Sequence, residues 1–311
     1  MNHRIVSLIA SATEIVCALG YESQLVGRSH ECDYPPSIVQ LPTCSTSKVC
    51  TEASSAAIDG QVQAIVDEGL SVYQVDGDIL NQLTPSVIVT QTQCEVCAVS
   101  LKDVEAAVCE LVKSQPAIVS LAPTSLGDVW TDIRAVASAL GDAGRGDRLV
   151  THLKERLNVL QARTQALASV PSIACIEWID PLMSAGNWVP DLVDLAGGVS
   201  LFAESGKHSG YLSIDRLLAA DPDVIAIMPC GFDIERSCRE MDPLVTHPTW
   251  RQLAAVQNGR VVITDGNQYF NRPGPRVVES AEILAECLHP GSVDYGHQGR
   301  GWRSWSNSIF P

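Results

Sequence analysis

The stretch that decides the fold is Asp147-Arg-Leu-Val-Thr-His-Leu-Lys-Glu-Arg-Leu-Asn-Val-Leu-Gln-Ala-Arg-Thr-Gln-Ala-Leu-Ala168, which holds no Pro and no Gly. Leu149, Leu153, Leu157, Leu160 and Leu167 recur at helical spacing, and Lys154, Arg156 and Arg163 fall on other faces. The pattern predicts one amphipathic helix of about 20 residues, roughly 30 Å long. The glycine-bearing segment 141–146 precedes it and Pro171 follows it.

On both sides the pattern changes to short apolar runs alternating with helices. Before it, strands are expected at Arg4–Ile9, Leu25–Gly27, Ser86–Thr90 and Ala117–Leu121. Helices are expected at Glu14–Leu19, with Ser11 or Thr13 as N-cap, and at Ser54–Glu68, Asp103–Lys113 and Leu126–Leu140. After it, strands are expected at Ile173–Trp178, Val224–Met228 and Val261–Thr264, and helices at Val189–Ala196 and Arg276–Leu288. Such alternation predicts parallel α/β sheets. The halves also echo each other. Leu80-x4-Pro85-x-Val87-Ile88 returns as Leu217-x4-Pro222-x-Val224-Ile225. The fold expected is α/β: two Rossmann-like lobes, one long connecting helix, and a ligand cleft between the lobes. The divisions expected are 1–142, the connecting helix 143–169, 170–290, and an irregular tail 291–311 packed on the surface.

The chain has 311 residues, 46% hydrophobic and 18% charged, the composition of a globular protein. Its net charge of −15 argues against nucleic acid, which is bound through Lys and Arg. The acid is concentrated early: residues 1–142 carry 17 Asp/Glu and 6 Lys/Arg. No stretch approaches the roughly 20 apolar residues of a membrane span. The 11 cysteines are odd in number and scattered, which reads as reduced thiols rather than a disulfide framework. With no clear signal peptide at Arg4–Ile9, the expected location is the cytoplasm, or the periplasm if the start is incomplete.

In open α/β sheets ligands bind beyond the carboxyl ends of strands. Those positions carry Ser11 and Thr13; His30, Cys32 and Asp33; Cys94-Glu-Val-Cys97; Trp178 and Asp180; Phe232; and Asn267, Tyr269, Phe270 and Arg272, with Asn187-Trp188 opening a helix. Large aromatics with polar tips suit a bulky, partly apolar ligand. Cys94 and Cys97 form a C-x-x-C, which reads as a soft ligand contact, a metal site or a redox pair. A tetrahedral zinc site would need two more ligands. His30 is the best placed histidine for ligation, and His208 lies in a glycine-flanked loop that could gate a cleft. No dinucleotide, P-loop, nucleophile-elbow or zincin motif is present.

Arg4-Ile-Val-Ser-Leu-Ile-Ala-Ser-Ala-Thr-Glu-Ile-Val-Cys-Ala-Leu-Gly20, then Leu-Val-Gly27 and Cys-Asp-Tyr-Pro-Pro36, resembles the opening of the vitamin B12-binding proteins of ABC importers. These belong to the helical-backbone metal receptor superfamily, the class III substrate-binding proteins. The resemblance continues through Gln91–Ser100, Glu177–Gly198, Pro229–Arg236 and Asp265–Pro275, and so covers nearly all the chain to about residue 290. It implies a binding protein and no enzyme, a ligand between two lobes, and small hinge motion. The superfamily also binds haem, ferric siderophores and bare metal ions, and its exported members dock on a permease through acidic residues.

The resulting expectation is a monomeric substrate-binding protein for a corrinoid such as cobalamin, or a related metal chelate. It is not membrane-embedded, and its partner is an ABC permease or a cytoplasmic acceptor. Trp178, Trp188, Phe232, Tyr269 and Phe270 would pack the flat ligand. Ser11, Thr13, Asp180, Asn267 and Arg272 would meet its polar rim, and His30, Cys94 or Cys97 would reach the metal. Two alternatives stand beside it: a carrier of zinc or another soft metal ion through His30, Cys94 and Cys97, and a thiol oxidoreductase using Cys94 and Cys97.

Overall fold

A computed structural model describes residues 2–68, 71–92 and 114–305. The expected helix at Asp103–Lys113 lies outside these residues. The chain divides into two compact units, each described by itself. The first is Met1–Ala53, Ala57–Pro123 and Gly127–His152; the second is Ser54–Ala56, Thr124–Leu126 and Leu153–Pro311.

The N-terminal elements are β1 (Ile5–Ser7), α1 (Ala10–Ala18), β2 (Leu25–Arg28), β3 (Ser45–Ser47), α2 (Ser55–Asp67), β4 (Tyr73–Val75), α3 (Gly77–Leu83), β5 (Val87–Gln91), β6 (Ala117–Leu121), α4 (Leu126–Ala139) and α5 (Ala143–Gln165). The main sheet has the order β2-β1-β5-β6 and is parallel throughout. Ile5, Val6, Ile88 and Val89 are wholly buried in it, as expected of a sheet covered on both faces. A separate antiparallel pair, β3 with β4, joins Ser45 to Val75 and Ser47 to Tyr73. Its partners are too far apart in sequence to read as a hairpin.

One helix start differs from expectation, and a second falls at the boundary expected for the connecting helix, ahead of its glycine-free stretch. α1 begins at Ala10 with no side-chain cap, so Ser11 and Thr13 lie inside the helix. α5 begins at Ala143, with the Asp142 carboxylate accepting from the Arg145 N–H (3.0 Å). Gly144 and Gly146 are therefore helical. Gly146 has a packing reason: a Cβ there would lie 2.7 Å from Ala137 Cβ, so its absence lets α5 approach α4 closely. The buried stripe of α5 includes Val150, Leu153, Leu157, Leu160 and Thr164.

The C-terminal elements are β7 (Ser172–Trp178), β8 (Met183–Ser184), α6 (Val189–Leu195), β9 (Val199–Ser200), β10 (Gly210–Tyr211), α7 (Ile214–Ala220), β11 (Val224–Ile227), α8 (Ile234–Arg239), α9 (Asp242–Val245), α10 (Ala254–Gln257), β12 (Val261–Thr264), α11 (Val277–Leu288) and β13 (Trp302–Ser304). The sheet runs β10-β8-β7-β11-β12-β13, with β9 also on β7. Its centre, β7-β11-β12, is parallel, while β8, β10 and β13 pair antiparallel. The segment expected to be an irregular surface tail thus supplies an edge strand, and Trp302 and Trp305 are buried. One three-residue strand carries no period that a sequence can show; pairing with β12 makes it.

The echo between the halves is a repeated local structure. α3 is capped by Asp76, ends at left-handed Thr84, and leads through Pro85 into β5. α7 is capped by Ser213, ends at left-handed Asp221, and leads through Pro222 into β11. A left-handed C-cap followed by Pro stops a helix sharply, and each time the strand delivered is central to its sheet.

Candidate ligand-binding site

In the N-terminal unit the loop after β2 places His30 against the β3-β4 pair. Its backbone N–H donates to Ser45 Oγ (3.3 Å), and its Nδ1 shares a 3.0 Å hydrogen bond with the same hydroxyl. Tyr73 lies beside it, with ring centroids 5.3 Å apart, and donates its hydroxyl to Glu31 Oε1 (2.9 Å). His30 Nε2 is buried with no hydrogen-bond partner among the described residues, and Glu31 Oε1 is 3.9 Å away. Burial, and then the nearby Arg28 guanidinium, lower its pKa, which favours the neutral ring. Arg28 also pins the loop by donating to the carbonyls of Ser29, Cys32 and Val39. The arrangement can offer a neutral nitrogen: with Nδ1–H donating to Ser45, Nε2 presents a lone pair.

A pH dependence follows. His30 binds a proton less readily folded than unfolded. Its contribution to stability is present above its ordinary value of 6.5 and is lost as pH falls through its lowered folded value. Replacing His30 by Asn is expected to flatten the acid limb of a thermal-melt profile. An acid limb unchanged in the variant would reject this role.

Other N-terminal candidates sit deeper. Thr13 Oγ1 is 2.8 Å from Ser7 Oγ and 3.0 Å from Cys32 Sγ, and all three residues are buried. Cys32, expected among the ligand positions beyond the strand ends, is only 1% exposed. Ser11 is likewise interior. Cys94 and Cys97 lie outside the described residues. Among the described residues no three His, Cys, Asp or Glu side chains converge on a metal.

In the C-terminal unit three strand ends meet. Trp178 ends β7, and its indole packs on Phe232 after β11, centroids 5.2 Å apart. Its indole N–H donates to the Ser55 carbonyl (3.3 Å). The Arg236 guanidinium lies 3.7 Å from the Phe232 ring centroid, a close cation–π contact. Arg236 stands on α8, whose start is fixed by Asp233 accepting the Arg236 N–H (2.7 Å). The loop after β12 joins this group through the Asn267 N–H, which donates to the Phe232 carbonyl (3.0 Å). Arg272 Nη2 donates to Asn267 Oδ1 (3.0 Å), and the Arg276 guanidinium lies 5.3 Å from the Tyr269 centroid. Burial, with Asp233 nearby, raises the Asp265 carboxyl pKa.

Trp178, Phe232, Asn267, Tyr269 and Arg272 are therefore brought to one end of the C-terminal sheet, with half-buried Asp180 just after β7. Trp188 and Phe270 turn inward, and Phe232 and Arg272 are buried to the same degree, at 2% and 6% exposed. The Trp188 indole N–H donates to the Phe270 carbonyl (2.8 Å), and both side chains are buried. His208 is exposed, in a loop whose flanks are bonded: the Asn187 N–H donates to the Lys207 carbonyl (2.6 Å), and the Gly186 N–H donates to Ser209 Oγ (3.0 Å). Arg236, Ser45 and Tyr73 are additions that the sequence reading lacked. Arg236 carries the clearest missed signal, four residues after Phe232 at a strand-to-helix junction.

The sequence matches the periplasmic binding protein family over residues 5–268. The chain belongs to that family. Among its relatives is a vitamin B12-binding protein of Vibrio cholerae, 23% identical over 92% of this chain and 88% of the relative. An uncharacterized ABC transporter substrate-binding lipoprotein of Bacillus subtilis is 21% identical over 92% of this chain and 80% of its own length. The solved periplasmic heme-binding protein RhuT of Roseiflexus has the same fold, with a TM-score of 0.69 at 22% identity, covering 94% of this chain and 100% of that one.

Membership of the periplasmic binding protein family, with a lipoprotein among the relatives, corrects the expectation of a cytoplasmic location. The short apolar run behind that expectation is β1, a buried strand of the N-terminal sheet. No helix among the described residues is long and apolar enough to cross a membrane.

Proposed function

We propose that this protein is a substrate-binding protein for a corrinoid such as cobalamin, or for a related flat metal chelate such as haem, and that it delivers the ligand to an ABC permease rather than transforming it. The observation that carries the reading is the group Trp178, Phe232 and Arg236 at the strand ends of the C-terminal unit. The half-buried Trp178 indole and Arg236 guanidinium, seated on the buried Phe232 ring, suit a flat conjugated ring with a polar rim. Asn267, Tyr269 and Arg272 supply amide, phenol and cation for that rim. Family membership and relatives named for vitamin B12 and heme support the same chemistry. The N-terminal unit by itself offers His30, whose oriented ring favours the neutral form, as a nitrogen donor suited to a metal.

Calorimetry and absorbance titrations with cyanocobalamin and, separately, haemin test the reading. One of them is expected to bind with a Kd of about 1 μM or tighter, near −8 kcal/mol. Replacing Trp178 by Ala is expected to weaken that ligand about tenfold with little change in Tm. No heat and no spectral shift with either ligand at about 100-fold that concentration would overturn the proposal.

A further inference from the structure

The family match ends at residue 268, yet the chain beyond it folds back onto the loop that carries Asn267 and Tyr269. β13 pairs with β12 so that Trp302 faces Thr264. The next residue, Asp265, donates its N–H to the Gly301 carbonyl (2.9 Å). Asp265 then orders the loop: its carboxylate accepts the Gln268 N–H (2.8 Å) and its carbonyl the Tyr269 N–H (3.1 Å). The His297 ring meets Tyr269 edge-on, with centroids 6.4 Å apart. His297 Nε2 is 2.9 Å from Glu282 Oε2, and the other Glu282 oxygen accepts from Arg156 (2.8 Å). Glu286, one turn on along α11, accepts the N–H groups of Tyr295 (2.6 Å) and His297 (3.2 Å) and the Trp302 indole N–H (2.6 Å).

We propose that residues 294–305 are a strap that sets the Asp265–Tyr269 loop for its ligand, with His297 as the positioning residue and the His297–Glu282 pair as the latch. The ligand arm of this proposal rests on the function proposed above; the structural arm does not.

The latch is sensitive to pH in a defined direction. His297 faces Glu282, Glu286 and Glu279 from α11, Arg156 of α5 reaches it through Glu282, and Tyr269, itself beside Arg276, packs on its ring. Burial opposes the imidazolium, but the Glu282 hydrogen bond and the carboxylate charges outweigh it and raise the His297 pKa. Burial also opposes the Glu282 carboxylate, but His297 and Arg156 outweigh it and lower that pKa. The His297 contribution is complete below its ordinary value of 6.5 and is lost as pH rises through its raised value. The Glu282 contribution is present above 4.5 and is lost as pH falls through its lowered value. The latch is fully charged between those ordinary values and weakens on the alkaline side.

Amide hydrogen exchange on the full chain tests the strap. Replacing His297 by Ala is expected to raise exchange of the Asp265 and Tyr269 amides about tenfold, while amides of β7 and β11 keep their protection. H297Q keeps a hydrogen-bond donor without the charge. It is expected to recover part of the protection and to abolish the wild-type loss of protection as pH rises above 6.5 through the raised His297 value. Affinity for whichever of cyanocobalamin and haemin binds should fall with loop protection. Unchanged protection at 265–269 with loosening confined to 294–305 would overturn the proposal. So would an even loss of protection through the C-terminal unit. If the wild type binds neither cyanocobalamin nor haemin, the ligand reading fails and the exchange arm still decides the strap.

Discussion

Gly266→Ala is expected to destabilise the C-terminal unit by about 3 kcal/mol, the upper part of the range for overpacking a tight site. A Cβ at Gly266 would overlap the Pro229 carbonyl oxygen and lie 2.8 Å from the Met228 carbonyl carbon. Those atoms are backbone and cannot swing aside as a side-chain tip can. The junction is also tied on both sides, because Asn271 Nδ2 donates to the carbonyls of Met228 (3.2 Å) and Gly266 (2.9 Å). The added methyl must therefore separate the loop after β12 from the loop after β11. That separation breaks the Asn267 N–H to Phe232 carbonyl bond and moves Asn267 and Tyr269 away from Phe232. Thermal melts should show Tm lowered by about 6–12 °C for a unit of this size. Ligand affinity should fall as well. An unchanged Tm would show that the two loops do not approach this closely in solution.

Glu286→Ala should have a comparable effect through a different mechanism. Its carboxylate is buried and accepts three N–H groups, from Tyr295, His297 and Trp302. Hydrogen bonds to a charged acceptor contribute more than neutral ones, and each donor left buried without a partner costs about 1–3 kcal/mol. The three losses do not add, because the strap can lift and hydrate its donors. An expected loss of about 3 kcal/mol reflects that relief. Urea unfolding followed by tryptophan fluorescence measures it, and limited proteolysis should show earlier cleavage in residues 291–305. Wild-type stability in this variant would mean that water already satisfies these groups.

The legible parts of the fold were those encoded locally. The helix and strand alternation, the long α5 and the echo between α3-β5 and α7-β11 all rest on periods or caps contained in a short window. The antiparallel pairs were not legible. Ser45 finds Val75, and Val262 finds Ser304, across long sequence separations, and no local signal names the partner. Gly146 costs about 1 kcal/mol of helix propensity, but it lies inside α5 where its missing side chain lets the helix approach Ala137 closely.

The candidate site divides the same way. Strand ends could be located from the sequence, and with them Trp178, Phe232, Asn267 and Tyr269. Whether an aromatic at such a place faces solvent or core could not. Trp188, Phe232 and Phe270 all lie at such junctions and all three are buried, while Trp178 stays half-buried. Nor does the sequence show that Arg236 covers Phe232, that Ser45 orients His30, or that Glu286 gathers three donors.

By itself, then, the sequence determined the α/β class, the place of the long helix and the strand ends where ligand chemistry could collect. It did so because side-chain periodicity and capping act over a few residues. Only the tertiary structure decided which strand-end groups meet and which are buried, and that the last residues support the loop after β12. Those outcomes depend on contacts between segments that are remote in the chain, where packing and hydrogen-bond satisfaction override local preference.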